Sequence, residues 1–221
     1  MSTTTTTEAE TVEAFHKLYY YDLFSEKRRR KHATWCGTPL IKNPLDLFVL
    51  QEIITETAPE VIVETGTAFG GSALYMAHVC DALGRGEILS IDKAPYAADD
   101  LPRHPRITYV RGDSVGEVAL RAARAASAGK RTMVDLDSWH SQEHVLAEME
   151  AYGLLVSPGC YMIVEDTNIS HHPVHLRGYP DPGPWEAVEE FLRTHDEFEV
   201  DPEREKFLLT FNPRGYLRKS G

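Results

Sequence analysis

Five short apolar runs between residues 61 and 166 constrain the fold more than any other feature of this chain. They are rich in β-branched residues and span residues 61–64, 87–92, 107–113, 132–137 and 160–166. Helical patterns lie between them at about residues 72–83, 115–128 and 141–154. Buried strands that alternate with helices are typical of parallel βαβ units. The sequence therefore predicts an α/β fold with a doubly wound, Rossmann-like sheet.

The flanking segments complete one compact domain. Residues 1–10 are rich in threonine and predict a disordered tail, and residues 11–58 predict an N-terminal helical segment with helices at 12–32 and 45–57 and irregular chain at 34–44. The main domain is expected to cover residues 59–221. Near its end, a helix at 184–195 precedes two apolar runs at 198–200 and 207–211. No helix separates these two runs, so they predict a terminal antiparallel pair.

Composition and charge exclude several classes of protein. Acidic residues outnumber basic ones 34 to 23, and a net charge of -11 argues against a nucleic-acid partner. The basic run at 27–31 is short and predicts a solvated helix face. No run approaches the roughly 18 apolar residues of a membrane span, and the first ten residues do not resemble a secretory signal. Three widely spaced cysteines suit a reducing cytoplasm, which we expect as the location.

Each of the five predicted strands ends in or beside a carboxylate. These residues are Glu64, Asp92, Asp113, Asp137 and the pair Glu165 and Asp166. In an open parallel sheet, the ligand crevice lies outside the carboxyl ends of the strands. A single acid in that position is often only a helix cap or a turn residue. Five such positions together predict an acidic ligand site.

The turn after the first strand favours a ligand that carries positive charge. Its glycines, Gly66 and Gly70, do not have the Gly-x-Gly-x-x-Gly spacing of a dinucleotide site, and Glu64 would repel a pyrophosphate. The sulfonium and amino groups of S-adenosylmethionine suit such a turn. Asp92 is expected to bind ribose hydroxyls, a role that NAD sites share. The predicted donor site comprises Glu64, Gly66, Ser72, Asp92, Asp113 and Ser114, with the last two beside the adenine.

Three carboxylates at the ends of the fourth and fifth strands predict a metal site. Neighbouring strands would bring Asp137, Glu165 and Asp166 together, and such like charges repel unless a cation lies between them. Oxygen ligands favour Mg²⁺ or Mn²⁺ over Zn²⁺. Solvated helix caps are the alternative. A zinc site at residues 171–175 is disfavoured, because Pro173 interrupts the histidines and no cysteine accompanies them.

His140, three residues after Asp137, is placed to accept a proton from a substrate hydroxyl. Its imidazole titrates near neutral pH, and a hydroxyl held beside a metal is a stronger acid than a free one. A local hydrogen bond in the loop is the alternative role for this side chain. The predicted catalytic residues are His140 and Asp137.

Several segments resemble the cephalosporin hydroxylase family of class I S-adenosylmethionine-dependent methyltransferases, whose relatives include macrolide-sugar O-methyltransferases. They are WCGTPLIKNPLDL at 35–47, VIVETGTAFGGS at 61–72, LDSWHSQEHVLAEMEAY at 136–152, LVSPGCYMIVEDT at 155–167 and PGPWEAVEEFL at 182–192. The resemblance implies that Asp137, Glu165 and Asp166 hold Mg²⁺ and that His140 is the general base. It also implies a homo-oligomer. The chain departs from the family pattern at Trp139 and at Asp135.

Together, these features predict a Mg²⁺-dependent O-methyltransferase that uses S-adenosylmethionine. The expected acceptor is a hydroxyl group of a sugar or a phenolic natural product. An NAD-dependent oxidoreductase on the same winding is one alternative, and the spacing of Gly66 and Gly70 disfavours it. A non-catalytic binding module is another, and it would be expected to have lost the carboxylates and His140.

Overall fold

A computed structural model describes residues 6–23, 33–96, 100–175 and 177–221. The helices are α1 (Glu8–Leu23), α2 (Pro44–Thr57), α3 (Gly71–Leu83), α4 (Glu117–Ser127), α5 (Gln142–Gly153) and α6 (Pro184–Phe191), with a short 3-10 helix at Pro202–Glu205. The strands are β1 (Ala33–Trp35), β2 (Thr38–Leu40), β3 (Val61–Thr65), β4 (Glu87–Asp92), β5 (Ile107–Arg111), β6 (Thr132–Leu136), β7 (Tyr161–Val164), β8 (Phe198–Val200) and β9 (Tyr216–Lys219).

A seven-stranded sheet in the order β5-β4-β3-β6-β7-β9-β8 forms the centre of the molecule. Strands β5, β4, β3, β6 and β7 are parallel, and β9 and β8 extend the sheet with antiparallel pairing. Because β3 pairs with both β4 and β6, the direction of winding reverses at β3, and the ligand crevice of such sheets lies at that point. The predicted α/β class and doubly wound sheet are confirmed, and β6 and β7 are neighbours as expected.

Apolar clusters cover both faces of the sheet. One packs α4, α5 and α6 against side chains such as Val63 and Val134, and the other packs α2 and α3 against side chains such as Ile62 and Met133. Successive residues of a strand point to opposite faces, so both faces of β3 and β6 are buried. This explains why these strands appear in the sequence as continuous apolar runs rather than alternating ones.

The N-terminal region differs from the sequence prediction in its boundaries. Helix α1 begins at Glu8 rather than at residue 12, because Thr7 and Glu10 form reciprocal capping hydrogen bonds of 2.8 and 3.2 Å. Residues 24–32, which include the predicted basic face at 27–31, lie outside the described residues, as do residues 1–5. The predicted irregular segment contains the β1–β2 hairpin. None of the helices that the structure describes is long and apolar enough to cross a membrane.

The prediction of a second terminal strand at residues 207–211 is wrong. Residues 207–211 form no strand; β8 pairs with β9 instead, with Val200 opposite Leu217. Leu208 has a φ of 68°, which interrupts an extended conformation. The apolar character of this run has another cause, because Leu209 and Phe211 pack against Tyr20 of α1.

Candidate active site

The carboxyl ends of β6 and β7 hold the acidic residues that the sequence predicts there. The backbone N–H of Asp137 donates to the Thr65 carbonyl at 3.0 Å, and that of Glu165 donates to the Leu136 carbonyl at 3.0 Å. These bonds continue the sheet past the last strand residues. Asp166 follows in a left-handed conformation with a φ of 57°. Sheet pairing therefore places the side chains of two distant segments at one edge.

The side chains of Asp137, His140 and Asp166 converge at this edge. The imidazole Nε2 of His140 lies 3.4 Å from Asp166 Oδ2 and 3.9 Å from Asp137 Oδ1. One ligand atom from each of the three residues lies within 4.8 Å of the others. His140 is buried, with 8 % of its surface exposed, in the loop between β6 and α5. The structure therefore brings together three of the four residues predicted for the metal and the base.

The fourth, Glu165, contacts a cation from another part of the chain. Its Oε1 lies 2.8 Å from the ammonium nitrogen of Lys42, which is also 3.0 Å from Asp137 Oδ2 and 3.6 Å from Asp135 Oδ2. The Lys42 side chain is only 3 % exposed. Sequence reasoning missed this residue, because a lysine between an irregular segment and a helix normally points to solvent. Its only signal was its place in the 35–47 segment that carries part of the family resemblance.

We call Asp137, His140, Glu165 and Asp166 the acidic centre. Burial and nearby charges change the pKa values of its side chains. Burial raises the pKa of Asp137 to about 7, while Lys42 opposes the rise and Glu165 adds to it. Burial likewise raises the pKa of Asp166 to about 7, again with a contribution from Glu165. Burial lowers the pKa of His140, although Asp137 opposes this shift. The imidazole is therefore biased toward its neutral form, which can accept a proton.

The donor set at this centre fits a hard divalent cation. Carboxylate oxygens from Asp137 and Asp166 face one point, and Glu165 is adjacent to Asp166 in the chain. Burial is the main cause of the raised carboxyl pKa values and repulsion between the like charges adds to it, and a cation between them would relieve the repulsion. Such an oxygen-rich set favours Mg²⁺ or Mn²⁺.

Residues 66–70 join β3 to α3 beside the acidic centre, and we call them the glycine turn. Gly66 has a φ of 88°, a conformation that glycine adopts without strain. Glu64, fully buried below the turn, accepts hydrogen bonds from the hydroxyl groups of Ser72 and Ser90, the latter at 2.5 Å. Burial raises the pKa of Glu64, and the two serines oppose the rise. Through these hydrogen bonds, Glu64 connects the start of α3 to β4 beneath the turn.

A small cleft lies between this turn and the segment that precedes α2. Its lining consists of Pro39, Leu40, Ile41, Lys42, Gly66, Thr67, Ala68, Phe69, Gly71, Ser72 and Asp137. The cleft therefore includes two residues of the predicted donor site, Gly66 and Ser72, and directly adjoins the acidic centre through Asp137. A ligand in this cleft would be close to a second ligand at His140.

The other predicted donor residues lie along the ends of β4 and β5. Asp92 accepts hydrogen bonds from the backbone N–H groups of Ala68, at 3.0 Å, and Ala94, at 2.8 Å, so it is tied to the glycine turn. Asp113 forms an exposed ion pair with Lys93 at 3.1 Å. Ser114 is buried, and its hydroxyl group lies 3.1 Å from His144 Nε2. The structure thus brings Asp92 to the turn and places the other two farther along the same edge.

Two aromatic side chains line the opening above His140. The ring of Tyr179 stacks on the His140 imidazole with 5.9 Å between centroids, and Trp139 stacks on Tyr179 at 6.5 Å. Trp139 is 53 % exposed and Tyr179 is 38 % exposed. Large aromatic rings are usually buried, so two adjacent exposed rings beside a polar centre are typical of a binding surface. We call Trp139 and Tyr179 the aromatic rim.

The histidines at 171–175 do not join the acidic centre. The rings of His171 and His175 stack at 4.5 Å, and His171 Nε2 lies 3.4 Å from Asp181 Oδ2 at the surface. His172 instead contacts Glu186 at 2.8 Å and stacks on Trp185. The loop that carries them also carries Tyr179, so it borders the opening of the site.

Comparisons with known proteins identify the family of this chain. The family described as Rhamnosyl O-methyltransferase/CmcI matches residues 27–220. Rhamnosyl O-methyltransferase of Mycobacterium bovis (strain BCG / Pasteur 1173P2) is 37 % identical over 215 residues, which cover 93 % of this chain and 83 % of that protein. Rhamnosyl O-methyltransferase of Mycobacterium leprae (strain TN) is 35 % identical over 211 residues, which cover 93 % of this chain and 89 % of that protein.

Solved structures of CmcI share the fold. An apo form has a TM-score of 0.64 with 20 % identity, over 86 % of this chain and 76 % of CmcI. A form with Mg and SAM has a TM-score of 0.61 with 19 % identity, over 86 % of this chain and 77 % of CmcI. At this identity, the likeness shows the fold alone. The sequence matches carry the assignment: the chain belongs to the Rhamnosyl O-methyltransferase/CmcI family, as its motifs predict, and is an O-methyltransferase.

Proposed function

We propose that this O-methyltransferase transfers the methyl group of S-adenosylmethionine to a sugar hydroxyl group in a Mg²⁺-dependent reaction. The observation that carries the proposal is the convergence of Asp137, His140 and Asp166 beside the cleft below the glycine turn. A base, an oxygen-rich cation site and a donor cleft are the parts that such a reaction needs. A solved CmcI structure contains Mg and SAM, and this supports the choice of cofactors.

Asp137, Glu165 and Asp166 are proposed to hold the magnesium ion. When bound, Mg²⁺ would polarise the acceptor hydroxyl group and lower its pKa. Asp137 also lines the donor cleft, so it lies between the two substrates. The carboxylates would orient the acceptor relative to the methyl donor, and such positioning accounts for much of the rate in reactions of an already reactive sulfonium.

His140 is proposed as the general base. Its imidazole is biased toward the neutral form by burial, and its Nε2 faces the same point as the two carboxylates. It would take the proton of the acceptor hydroxyl group as the oxygen attacks the methyl carbon. Asp166, 3.4 Å from Nε2, would stabilise the imidazolium that forms. S-adenosylhomocysteine and the methylated acceptor are the products.

The donor is proposed to bind across the ends of β3, β4 and β5. Gly66 and Ser72 line the cleft, while Glu64 supports the turn from below. Asp92, tied to the turn, is placed to reach the ribose, and Asp113 and Ser114 lie where the adenine would extend. This same set would serve NAD only with difficulty, because the turn lacks the dinucleotide spacing.

The aromatic rim supports a sugar acceptor. Trp139 and Tyr179 are exposed aromatic side chains next to His140, and the apolar face of a pyranose packs well on aromatic rings. The curated relatives are described as rhamnosyl O-methyltransferases, which is consistent with a deoxyhexose glycoside. A phenolic natural product, which could stack on the same rings, is the second candidate.

The setting of the reaction is also proposed. Cys36, Cys80 and Cys160 are free thiols, which agrees with action in the cytoplasm. The net charge of -11 disfavours a nucleic-acid partner. A homo-oligomer is implied by the family resemblance, and light scattering on the purified chain would test it.

Formation of S-adenosylhomocysteine tests the proposal directly. The purified chain would be incubated with S-adenosylmethionine and a panel of deoxyhexose glycosides and vicinal diphenols, with Mg²⁺ or with excess EDTA. We expect turnover of glycosides that is lost in EDTA and restored by Mg²⁺. Turnover that persists in EDTA would contradict the metal-dependent mechanism, and exclusive turnover of diphenols would replace the sugar by a phenolic acceptor.

An Asp137→Ala variant separates catalysis from donor binding. We expect turnover to fall by roughly a thousandfold or more, because the acceptor loses its oriented cation site. Calorimetry should show a much smaller loss in the binding of S-adenosylhomocysteine, because Asp137 is only one of the residues that line the cleft and the glycine turn is unchanged. Glu117→Gln is the matched control, since it removes an exposed carboxylate on α4.

A further inference from the structure

Lys42 is a buried cation in the active site. Its side chain is 3 % exposed, and its ammonium group contacts carboxylates of Asp135, Asp137 and Glu165 at 3.6, 3.0 and 2.8 Å. Two of these carboxylates belong to the proposed metal site. A buried lysine with such partners bears a fixed positive charge next to the position of the metal.

Asp135 is an acidic residue in the centre of the sheet, where apolar residues are usual. It lies within β6, opposite Glu64 of β3 and Ile163 of β7, and is fully buried. Neither of its carboxylate oxygens has a hydrogen-bond partner among the residues that the structure describes. Buried polar atoms are normally hydrogen-bonded, so this exception calls for a charge partner. Lys42 is that partner, and the two residues form an ion pair behind the metal site.

The chain around Lys42 holds the ammonium group in place. The next residue, Asn43, caps α2 by accepting the backbone N–H of Leu45 at 3.2 Å, and Pro44 begins the helix. On the other side, a Cβ on Gly71 would lie 2.2 Å from the Pro39 carbonyl oxygen, which shows how closely this segment packs on α3. These contacts fix the backbone on both sides of Lys42, and the side chain, only 3 % exposed, keeps its ammonium group among the carboxylates.

We infer that Lys42 is an internal counter-ion that holds Asp135, Asp137 and Glu165 together in the metal-free protein and weakens metal binding. The inference rests on the proposed function, because it concerns the proposed metal ligands. A divalent cation that binds oxygens of Asp137 and Glu165 must share them with a fixed positive charge, and this Coulombic cost keeps the metal exchangeable. Lys42 is thus a positioning residue, and it accounts for the unusual acid in β6.

Metal binding to Lys42→Gln tests the inference. We would titrate the metal-free chain with Mn²⁺, follow free Mn²⁺ by electron paramagnetic resonance, and measure melting temperatures in EDTA. The variant should bind Mn²⁺ roughly tenfold more tightly than wild type, since a nearby positive charge is removed. Its melting temperature in EDTA should fall, because the carboxylates repel one another. Unchanged or weaker Mn²⁺ binding would overturn the inference.

Asp135→Asn provides the opposite change in charge. It should weaken Mn²⁺ binding, and the double variant Lys42→Gln/Asp135→Asn, which has the net charge of the wild-type cluster, should return within about threefold of the wild-type Kd. The double variant also carries the test if Lys42→Gln does not fold without metal. Simple damage to the fold would weaken binding in all three variants, and that result would overturn the inference.

A matched control and the wild type separate the two proposals. Lys130→Gln removes the same charge from an exposed pair with Glu87 and should leave the Kd for Mn²⁺ unchanged. If the wild-type chain bound no Mn²⁺, the proposed metal dependence would fail, and the inference would fail with it. If the wild type binds Mn²⁺ and Lys42→Gln does not bind it more tightly, only the inference fails.

Discussion

The α-carbon of Gly66 lies against the backbone of Asp137, so closely that a Cβ on Gly66 would stand 1.7 Å from the Asp137 carbonyl oxygen. This contact joins the turn after β3 to the end of β6. The proposed donor cleft and the proposed metal site therefore share one packed backbone unit. A change at Gly66 should affect both sites, although it alters no polar side chain.

Gly66→Ala should destabilise the chain and abolish donor binding. The new Cβ would meet the Asp137 carbonyl, and a φ of 88° is itself unfavourable for alanine. We expect a loss of about 3 kcal/mol or more in the free energy of unfolding, as for other overpacked sites. Urea unfolding and calorimetry with S-adenosylhomocysteine would measure both effects.

Gly84→Ala is the matched control for the backbone strain. Gly84 also has a positive φ, 69°, but a Cβ there would meet nothing within 4 Å. Gly84→Ala should lower the free energy of unfolding by only about 1 kcal/mol and leave donor binding intact. Equal effects of the two variants would show that strain, rather than the contact with Asp137, explains the glycine.

His140→Ala should lower kcat without preventing the substrates from binding. General-base catalysis typically contributes on the order of 10²–10⁴-fold, and we expect a loss in that range. Single-turnover kinetics would measure it. Calorimetric binding of S-adenosylhomocysteine should remain within about threefold of wild type, because the donor cleft does not include His140. A kcat close to that of the wild type would assign the proton to another group or to solvent.

The sheet and its acidic edge were predictable from the sequence, because fully buried parallel strands leave continuous apolar runs whose ends meet in space. The role of Lys42 was not predictable, since no local pattern distinguishes a lysine that turns inward from one that is solvated. Strand β9 was missed because it has only two buried apolar residues, Tyr216 and Leu217. The run at 207–211 misled the prediction because its apolar side chains bury against α1 rather than in the sheet.

Trp139→Ala should raise the KM for a glycoside acceptor by roughly tenfold and change kcat much less, because stacking binds the ground state and the transition state alike. Steady-state kinetics with the best acceptor would show this split. Phe48→Ala, which removes another exposed aromatic ring on α2, is the control and should leave KM unchanged. A fall in kcat with an unchanged KM would instead give Trp139 a role in the chemical step.

Acid should loosen α1 through His16. This side chain is 5 % exposed, stacks on Phe211 at 5.7 Å and lies 2.9 Å from the amide nitrogen of Asn168. Burial lowers the pKa of His16 to about 4. Between pH 6.5 and about 4, the unfolded state therefore binds a proton at His16 that the folded state excludes, and the contribution of His16 lowers stability as the pH falls through this window. At about pH 5, the loss is about 2 kcal/mol relative to neutral pH.

Urea unfolding of wild type and His16→Gln at about pH 7 and about pH 5 would measure this contribution. The glutamine carbonyl can still accept from Asn168 but does not titrate, so the variant should lose less stability on acidification than the wild type does. Burial raises the pKa of Asp46 to about 6 and those of Asp137 and Asp166 to about 7, so these groups act with the opposite sign, but they are present in both proteins and cancel in the comparison. Equal pH dependence in wild type and His16→Gln would show that α1 does not hold this histidine in its neutral form.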